Sequence, residues 1–321
     1  MFTQTIARQA LVALTVLSAF GCSPWQADDD WALPGWSADL TQVAVLHRQY
    51  ESREQPLNLF GSKAIRNMTF QLYTAPVLDG PKLGKSTPRG PKLKGSPMYL
   101  DLRANSGYAV VGSEETIAKT SANGGAMSRW TWRRVSLKGG AEVIVKAEGA
   151  KSVQCAASGK NVTVYAPSEP VHVIINHSGN AMAVLKLSQG CKELQREVRV
   201  LSASTLKTIA GPLKLPALKV SLGTDTLPSP VGVSLLWSAD DKSLYVTDGY
   251  AGQDLVSALK IPADLSSYEV NVQIPNKCTW GFGANGPLFG KGHWVSVDSD
   301  GGLQLTPQDT SADPLDETCN L

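Results

Sequence analysis

The chain has 321 residues, of which 42% are hydrophobic and 18% are charged, a composition typical of a globular protein. Its 30 basic and 28 acidic residues give a net charge of only +2, which argues against a protein that binds nucleic acid through bulk charge. The composition also differs from that of disordered chains and of proteins with several membrane spans.

The N-terminal segment has the layout of a bacterial secretory signal. One positive charge, Arg8, precedes an apolar run over residues 10–17, and small residues follow as far as Gly21. Cys22 stands directly after this site, and the whole resembles the bacterial lipoprotein signal, except that the usual Leu three positions before the cysteine is absent. The resemblance implies removal of residues 1–21, acylation of Cys22, for example with palmitate, and sorting to the outer membrane, because the next residue is not Asp. The alternative is ordinary cleavage that leaves the cysteine as a free thiol.

The residues after the signal divide into a short tether and one large domain. Residues 22–39 have no helical or strand periodicity and contain two prolines, so they are predicted to be a tether between the lipid and the folded body. Residues 40–321 are predicted to form the folded domain, which is long enough for a single large all-β fold.

The cysteines favour disulfide bonds in an exported protein. Five are present, and if Cys22 carries lipid, an even number remains. We favour pairing Cys155 with Cys191 and Cys278 with Cys319, because both bridges would close local loops. Two other connectivities are open, and the further alternative is four buried free thiols.

Short segments rich in β-branched residues recur along the chain, with Gly, Asn, Asp and Ser between them, whereas helix signals are almost absent. This pattern predicts an all-β sandwich, barrel or propeller. The clearest segments are 108–111, 143–145, 162–165, 171–175, 198–201, 244–247 and 294–297.

A repeated hairpin favours the propeller among these folds. Its clearest copy is residues 235–248, and weaker copies open their turns at Asn105, Ser158 and Asn285. The spacing is about 40–50 residues or twice that, which predicts degenerate copies near residue 199 and near Gly61. The stretch Ser-x-Asp-Asp-Lys-x-Leu-Tyr-Val-Thr resembles the hairpin of the YVTN and WD40-like propeller families. We therefore expect a β-propeller of about six blades, or seven, with two β-sandwich domains as the alternative.

A basic, proline-rich segment is the first candidate binding feature. Proline and glycine predict a loop that keeps its charges in solvent. The loop is either an ordinary connection between strands or an arm for an anionic glycolipid, polymer or acidic protein patch. Its basic residues are Lys82, Lys85, Arg89, Lys92 and Lys94.

Two tryptophans are the second candidate. In a strand Trp130 and Trp132 point to the same face. If exposed, they would form a platform for sugar rings or for an apolar patch of a partner. If buried, they would pack between blades, which the fold favours.

Catalytic signatures are missing from the sequence. It contains no nucleophile elbow, no His-Glu-x-x-His pattern and no phosphate-binding glycine loop. We therefore expect no catalytic residues, no metal site and no cofactor, and we predict a binding or assembly component that engages another envelope or surface protein. The alternatives are a carbohydrate- or glycolipid-binding lipoprotein, and a propeller hydrolase or lactonase whose acidic and histidine side chains converge on the central channel.

Overall fold

The structure is a computed structural model, and it describes residues 24–37, 39–54, 63–79, 82–103, 106–119, 126–150, 152–157, 160–165, 170–219, 233–247, 255–275, 289–290, 293–298 and 302–307. The predicted signal, Cys22 and the predicted Cys278–Cys319 bridge lie outside these residues.

The described residues form six antiparallel sheets, which we number in chain order. Sheet 1 contains β1 (Gln26–Trp36), β2 (Gln42–Glu54), β3 (Lys63–Leu78), β4 (Lys82–Leu83) and β5 (Thr87–Lys94). Sheet 2 contains β6 (Ser96–Arg103), β7 (Tyr108–Lys119), β8 (Ala126–Ser136) and β9 (Ala141–Ala150). Sheet 3 is a hairpin of β10 (Ser152–Ala157) and β11 (Lys160–Tyr165).

The second half of the chain continues in the same way. Sheet 4 contains β12 (Val171–Ile175), β13 (Ala181–Gln189), β14 (Glu193–Ser202) and β15 (Thr208–Lys219). Sheet 5 contains β16 (Leu235–Trp237), β17 (Ser243–Thr247), β18 (Leu255–Pro262) and β19 (Glu269–Pro275). Sheet 6 contains β20 (Phe289–Gly290), β21 (His293–Val297) and β22 (Leu303–Pro307). All seven segments predicted to be strands are strands.

Sheets 1, 2, 4 and 5 pack face to face in that order. Phe70 and Leu100 belong to the hydrophobic cluster between sheets 1 and 2. Trp132 packs with Met182 in the cluster between sheets 2 and 4, and Leu244 belongs to the cluster between sheets 4 and 5. The first strands of neighbouring sheets also contact one another, β1 with β6 and β12 with β16. Radially arranged sheets with their first strands innermost are the architecture of a β-propeller.

The last sheet packs back on the first. Val295 and Leu305 of sheet 6 share a cluster with Trp36, Val43 and Ala75 of sheet 1. This contact brings the last sheet against the first, as a propeller requires and a pair of separate β-sandwiches does not. The all-β propeller prediction is therefore confirmed.

Sheet 3 lies on the connection between sheets 2 and 4. Its strand β10 contains Cys155, which forms a disulfide with Cys191 in the connection between β13 and β14. The predicted pairing of these two cysteines is confirmed.

The predicted tether is wrong from Gln26 onward, because these residues form β1 and pair with β2. Leu33 has a positive φ of 54°, and the register of the two strands shifts between Ala32 and Gly35. This irregularity interrupts the alternation of apolar and polar residues, which removed the strand signal from the sequence.

The predicted basic loop is also wrong for most of its residues, because they form β4 and β5 beside β3, whereas Lys85 lies in the connection between the two strands. Pro88 and Pro91 are tolerated because, among the described strands, β5 pairs only with β3, and a proline at an edge removes no ladder hydrogen bond. Gly90, with a φ of 62°, lies where the pairing shifts register.

The turns between the first and second strands of sheets 1, 4 and 5 share one geometry. The N–H of the opening residue, Ser37, Asn176 or Ser238, donates to the carbonyl five residues later at 2.8, 3.0 and 2.8 Å. The fourth residue of each turn has a positive φ, and in sheets 1 and 5 it is Leu40 and Asp241. The hairpin unit predicted from the sequence is thus present at Ser238 and also at Ser37 and Asn176. The copy predicted near residue 199 is wrong, because that residue lies within β14. The copies predicted at Asn105, Ser158 and Asn285 and near Gly61 lie outside the described residues.

These turns lie at one end of the propeller, which we call the turn end. Ser37 forms a bridge to Leu102 of sheet 2. The Tyr108 hydroxyl donates to the Gly179 carbonyl at 2.6 Å, which connects sheets 2 and 4. The opposite ends of the strands form the far end.

Candidate functional site

Sheet 1 extends beyond the hydrophobic clusters at the far end. Its second and third strands, β2 and β3, have 13 and 16 residues, whereas those of sheet 4 have 9 and 10 and those of sheet 5 have 5 and 8. The clusters include Leu46 on β2 and Phe70 on β3 but none of the residues toward the far end of either strand. We call residues 25–31, 47–54 and 63–69 the extension.

Cross-strand ion pairs hold the extension together. Arg48 binds the Asp30 carboxylate, and Arg66 binds Glu51. A hydrogen bond from Lys63, at 3.3 Å, lowers the pKa of Asp28. Each ion pair this exposed contributes little to the free energy of folding. Together the pairs favour the alignment of the strands and leave the surface of the extension polar.

A groove with a volume of 730 Å³ separates the extension from sheet 2. Arg66 and Lys94 line it on the sheet 1 side, and Glu114 and Glu115 line it on the sheet 2 side. Ile65, which is 50% exposed, adds an apolar surface. The groove therefore has a basic wall, an acidic wall and an apolar contact.

A small aromatic cup lies over β2 and β3 of sheet 1. The rings of Trp31 and His47 stack with centroids 4.3 Å apart, and Tyr73 meets the Trp31 ring edge-on at 5.1 Å. The His47 Nε2 is 2.8 Å from the Asp29 carboxylate. Lys92 donates to the Gln49 side chain at the rim of this 80 Å³ cavity.

The structure brings two of the five predicted basic residues to these cavities. Lys92 of β5 lines the aromatic cup, and Lys94 of the same strand lines the groove. Arg89 instead donates to the Thr74 hydroxyl at 2.9 Å. Lys82 and Lys85 are exposed and line neither cavity.

The predicted tryptophan platform is not present, because Trp130 and Trp132 are each only 2% exposed. Trp132 packs between sheets 2 and 4 and donates from its indole N–H to the Val171 carbonyl at 3.1 Å. The packing alternative is therefore the correct one, since the faces of sheet 2 are covered by its neighbours.

A further cavity of 720 Å³ lies between sheets 2 and 4 at the turn end. Its Arg134 binds Glu142 and two backbone carbonyls of the β14–β15 connection. Its Tyr108 is largely buried, which raises the pKa of that hydroxyl to about 12, and it donates to Gly179. These groups connect the two sheets, so we assign them a structural role.

Sequence reasoning missed the residues of the aromatic cup. Trp31 lay in the predicted tether, and His47 and Tyr73 fall on two strands whose pairing the sequence does not show. Correct alignment of β1 on β2, with Trp31 opposite His47, would have brought them together.

No grouping of three or more His, Cys, Asp or Glu side chains suited to a metal ion occurs among the described residues. Within the same ranges, no helix is long and apolar enough to cross a membrane.

Comparisons with known proteins add little. No protein-family model matches the chain, and no curated protein sequence matches it. Solved structures that are similar to it include the following two. Oligogalacturonate lyase in complex with manganese is 12% identical with a TM-score of 0.37, over 77% of this chain and 54% of that one. TolB from Acinetobacter baumannii is 9% identical with a TM-score of 0.30, over 76% and 56%. The chain thus spans little more than half the length of either, and similarity this low bears neither on the fold nor on function.

Proposed function

We propose that the protein is a non-catalytic component of the bacterial envelope that binds a segment of another protein in the groove between the extension and sheet 2. The groove itself is the supporting observation. Its 730 Å³ falls within the range of ligand-binding clefts.

The chemistry of the groove suits a polypeptide. Lys94 on one wall and Glu115 on the other match a segment that carries both acidic and basic side chains, and Ile65 offers an apolar contact. Pro88 and Pro91 prevent a regular ladder on the open edge of β5, so the partner is recognised by side chains rather than by strand addition.

We further propose that the protein is exported and anchored through an acylated Cys22, in the outer membrane. The signal layout supports this, and so does the Cys155–Cys191 disulfide, because disulfides persist in oxidising compartments. Replacing Cys22 by Ser should release the protein into the soluble fraction. If the variant stays with membranes, the anchor proposal fails.

Site-specific photocrosslinking in the native cell tests the groove. A photoreactive amino acid at Met68, which lines the groove, should give a discrete adduct with one partner. The same amino acid at Lys242, an exposed residue at the turn end, should not. Lys94→Glu should abolish the Met68 adduct, whereas Lys207→Glu, a charge reversal on an exposed turn residue, should leave it unchanged. An adduct from Lys242 but none from Met68 would contradict the proposal.

The aromatic cup favours a second candidate function, the binding of an anionic saccharide. Lys92 places a cation beside the rings of Tyr73 and His47, and aromatic rings next to a cation suit an acidic sugar. Tyr73→Ala should then weaken binding to an immobilised anionic polysaccharide about tenfold, whereas Tyr268→Ala, at a 42% exposed tyrosine outside the cup, should not. Equal binding by both variants would exclude this candidate.

A further inference from the structure

Because residues from Gln26 onward form β1, very little chain lies between Cys22 and the folded body. Trp25 directly precedes β1, and only two residues, Ser23 and Pro24, separate it from Cys22, which makes three Cα–Cα steps. At about 3.5 Å per residue, the two α-carbons are at most about 11 Å apart. The headgroup layer of one leaflet is itself roughly 5–8 Å thick.

Trp25 is held in the fold and cannot act as a free linker. Its ring contacts two guanidinium groups, those of Arg53 and Arg66, at 4.6 and 4.1 Å from the ring centroid. The following residue, Gln26, already pairs with Ser52 of β2. The short segment of chain that follows Cys22 therefore ends at a residue that is held in place at the far end of sheet 1.

We propose that the far end of the extension, with Trp25, Arg53, Lys63 and Arg66, lies against the phospholipid headgroups of the bilayer in which Cys22 is anchored. This inference depends on the lipid anchor proposed above. Tryptophan and arginine are the residues that favour the headgroup region, since each combines an apolar body with a polar or charged end.

The short chain, and not net charge, determines this orientation. Lys63 forms an ion pair with Asp28, and Arg66 forms one with Glu51. These acidic groups neutralise part of the positive charge of this surface. Asp29 is engaged by His47. We therefore expect the contact to be insensitive to salt, in contrast to that of a polybasic segment.

This orientation also determines where the turn end and the groove lie relative to the bilayer. Strand β2 spans 13 residues from Glu54 at the far end to Gln42 at the turn end, or roughly 40 Å. The turns of the propeller therefore point away from the bilayer. Ile65 and Arg66 line the groove near the membrane, so its partner must reach it at the membrane surface.

Depth-dependent fluorescence quenching tests the orientation with the full-length acylated protein. We would attach an environment-sensitive fluorophore to Lys63→Cys and, separately, to Lys242→Cys, and incorporate each into vesicles of phosphatidylcholine with a headgroup spin label. The unsubstituted protein, taken through the same labelling, gives the background from native cysteines. We expect at least threefold stronger quenching at position 63, unchanged at high salt. Equal quenching at the two positions overturns the proposal.

Two further variants separate the orientation from the anchor. A flexible insertion of about 20 Gly and Ser residues between Pro24 and Trp25 should abolish the quenching at position 63 while the protein stays on the vesicles. Quenching that persists overturns the inference that the short chain holds this surface at the bilayer. If Cys22→Ser still binds vesicles, the anchor proposal fails instead, independently of orientation.

Discussion

Asp241 connects sheet 5 to sheet 4 by accepting two backbone hydrogen bonds from the neighbouring turn. Its Oδ2 accepts from the N–H of Ser178 at 2.8 Å, and its Oδ1 accepts from the N–H of His177 at 2.7 Å. The residue itself lies in the left-handed region with a φ of 59°. The backbone of Asp241 therefore has the conformation that the local turn requires, and its side chain aligns this turn with the next sheet.

Substitutions at Asp241 should separate these two roles. Asp241→Gly loses the carboxylate but keeps a residue suited to positive φ, so we expect the free energy of unfolding to fall by about 1–2 kcal/mol. Asp241→Ala also loses the carboxylate and adds backbone strain, so it should be about 1 kcal/mol less stable than the glycine variant. Urea denaturation measures both, and a glycine variant as stable as the wild type would show that the bonds between the turns contribute nothing.

The two buried tryptophans of β8 should respond differently to removal of the indole nitrogen. Trp132→Phe removes the donor to the Val171 carbonyl, and we expect a loss of about 2–3 kcal/mol. Trp130→Phe removes an indole N–H that is buried without a hydrogen-bond partner among the described residues, so its loss should be smaller. The two variants lose the same volume, so equal losses of unfolding free energy would contradict a role for the Trp132 hydrogen bond.

The sequence was sufficient for the fold class because strands and turns have local signals. The Ser238 hairpin and the β-branched segments predicted a propeller, and the propeller is present. The ring order of the sheets depends on contacts between residues far apart, such as Trp36 with Val295, which local patterns do not encode.

The candidate site was predicted less well, for physical reasons that particular residues show. Pro88 and Pro91 are signals against a strand, yet an edge position tolerates them. Leu33 interrupts the alternation in β1, which concealed the strand that carries Trp31. Trp130 and Trp132 were recognised as a pair on one face, but only packing between sheets could show that this face is buried.

Acid should weaken the turn of sheet 5 through Asp240. A hydrogen bond from the Ser238 hydroxyl, at 2.7 Å, lowers the pKa of this carboxyl, and the Lys242 N–H assists. A carboxyl whose pKa is lowered in the folded state contributes stability above its unfolded pKa of about 3.9, and this contribution disappears as the pH falls through the lower folded value.

Ser238→Ala should therefore raise the pKa of Asp240 toward its ordinary value and weaken the acid dependence of stability. NMR titration of the side-chain carboxyl measures the change. Asp264, whose pKa is lowered by hydrogen bonds from Ser266 in a different turn, is the internal control and should not move. An unchanged Asp240 titration in the variant would mean that the serine hydroxyl does not determine the shift.

The Cys155–Cys191 disulfide should be the largest single contribution to stability that the described residues offer for a direct test. It joins residues 36 positions apart and ties the hairpin of sheet 3 to the connection after β13. Closing a loop of that length restricts the unfolded chain by about 4 kcal/mol, so the variant with both cysteines replaced by Ser should lose about that much unfolding free energy. The comparison is made in a background with Cys278→Ser and Cys319→Ser, so that only the Cys155–Cys191 bridge can respond to a reductant. Reduction should lower the stability of this background protein to that of the variant that also lacks Cys155 and Cys191, and that variant should not respond. A background protein that is equally stable with and without reductant, while its thiols react, would show that the hairpin position is determined by packing alone.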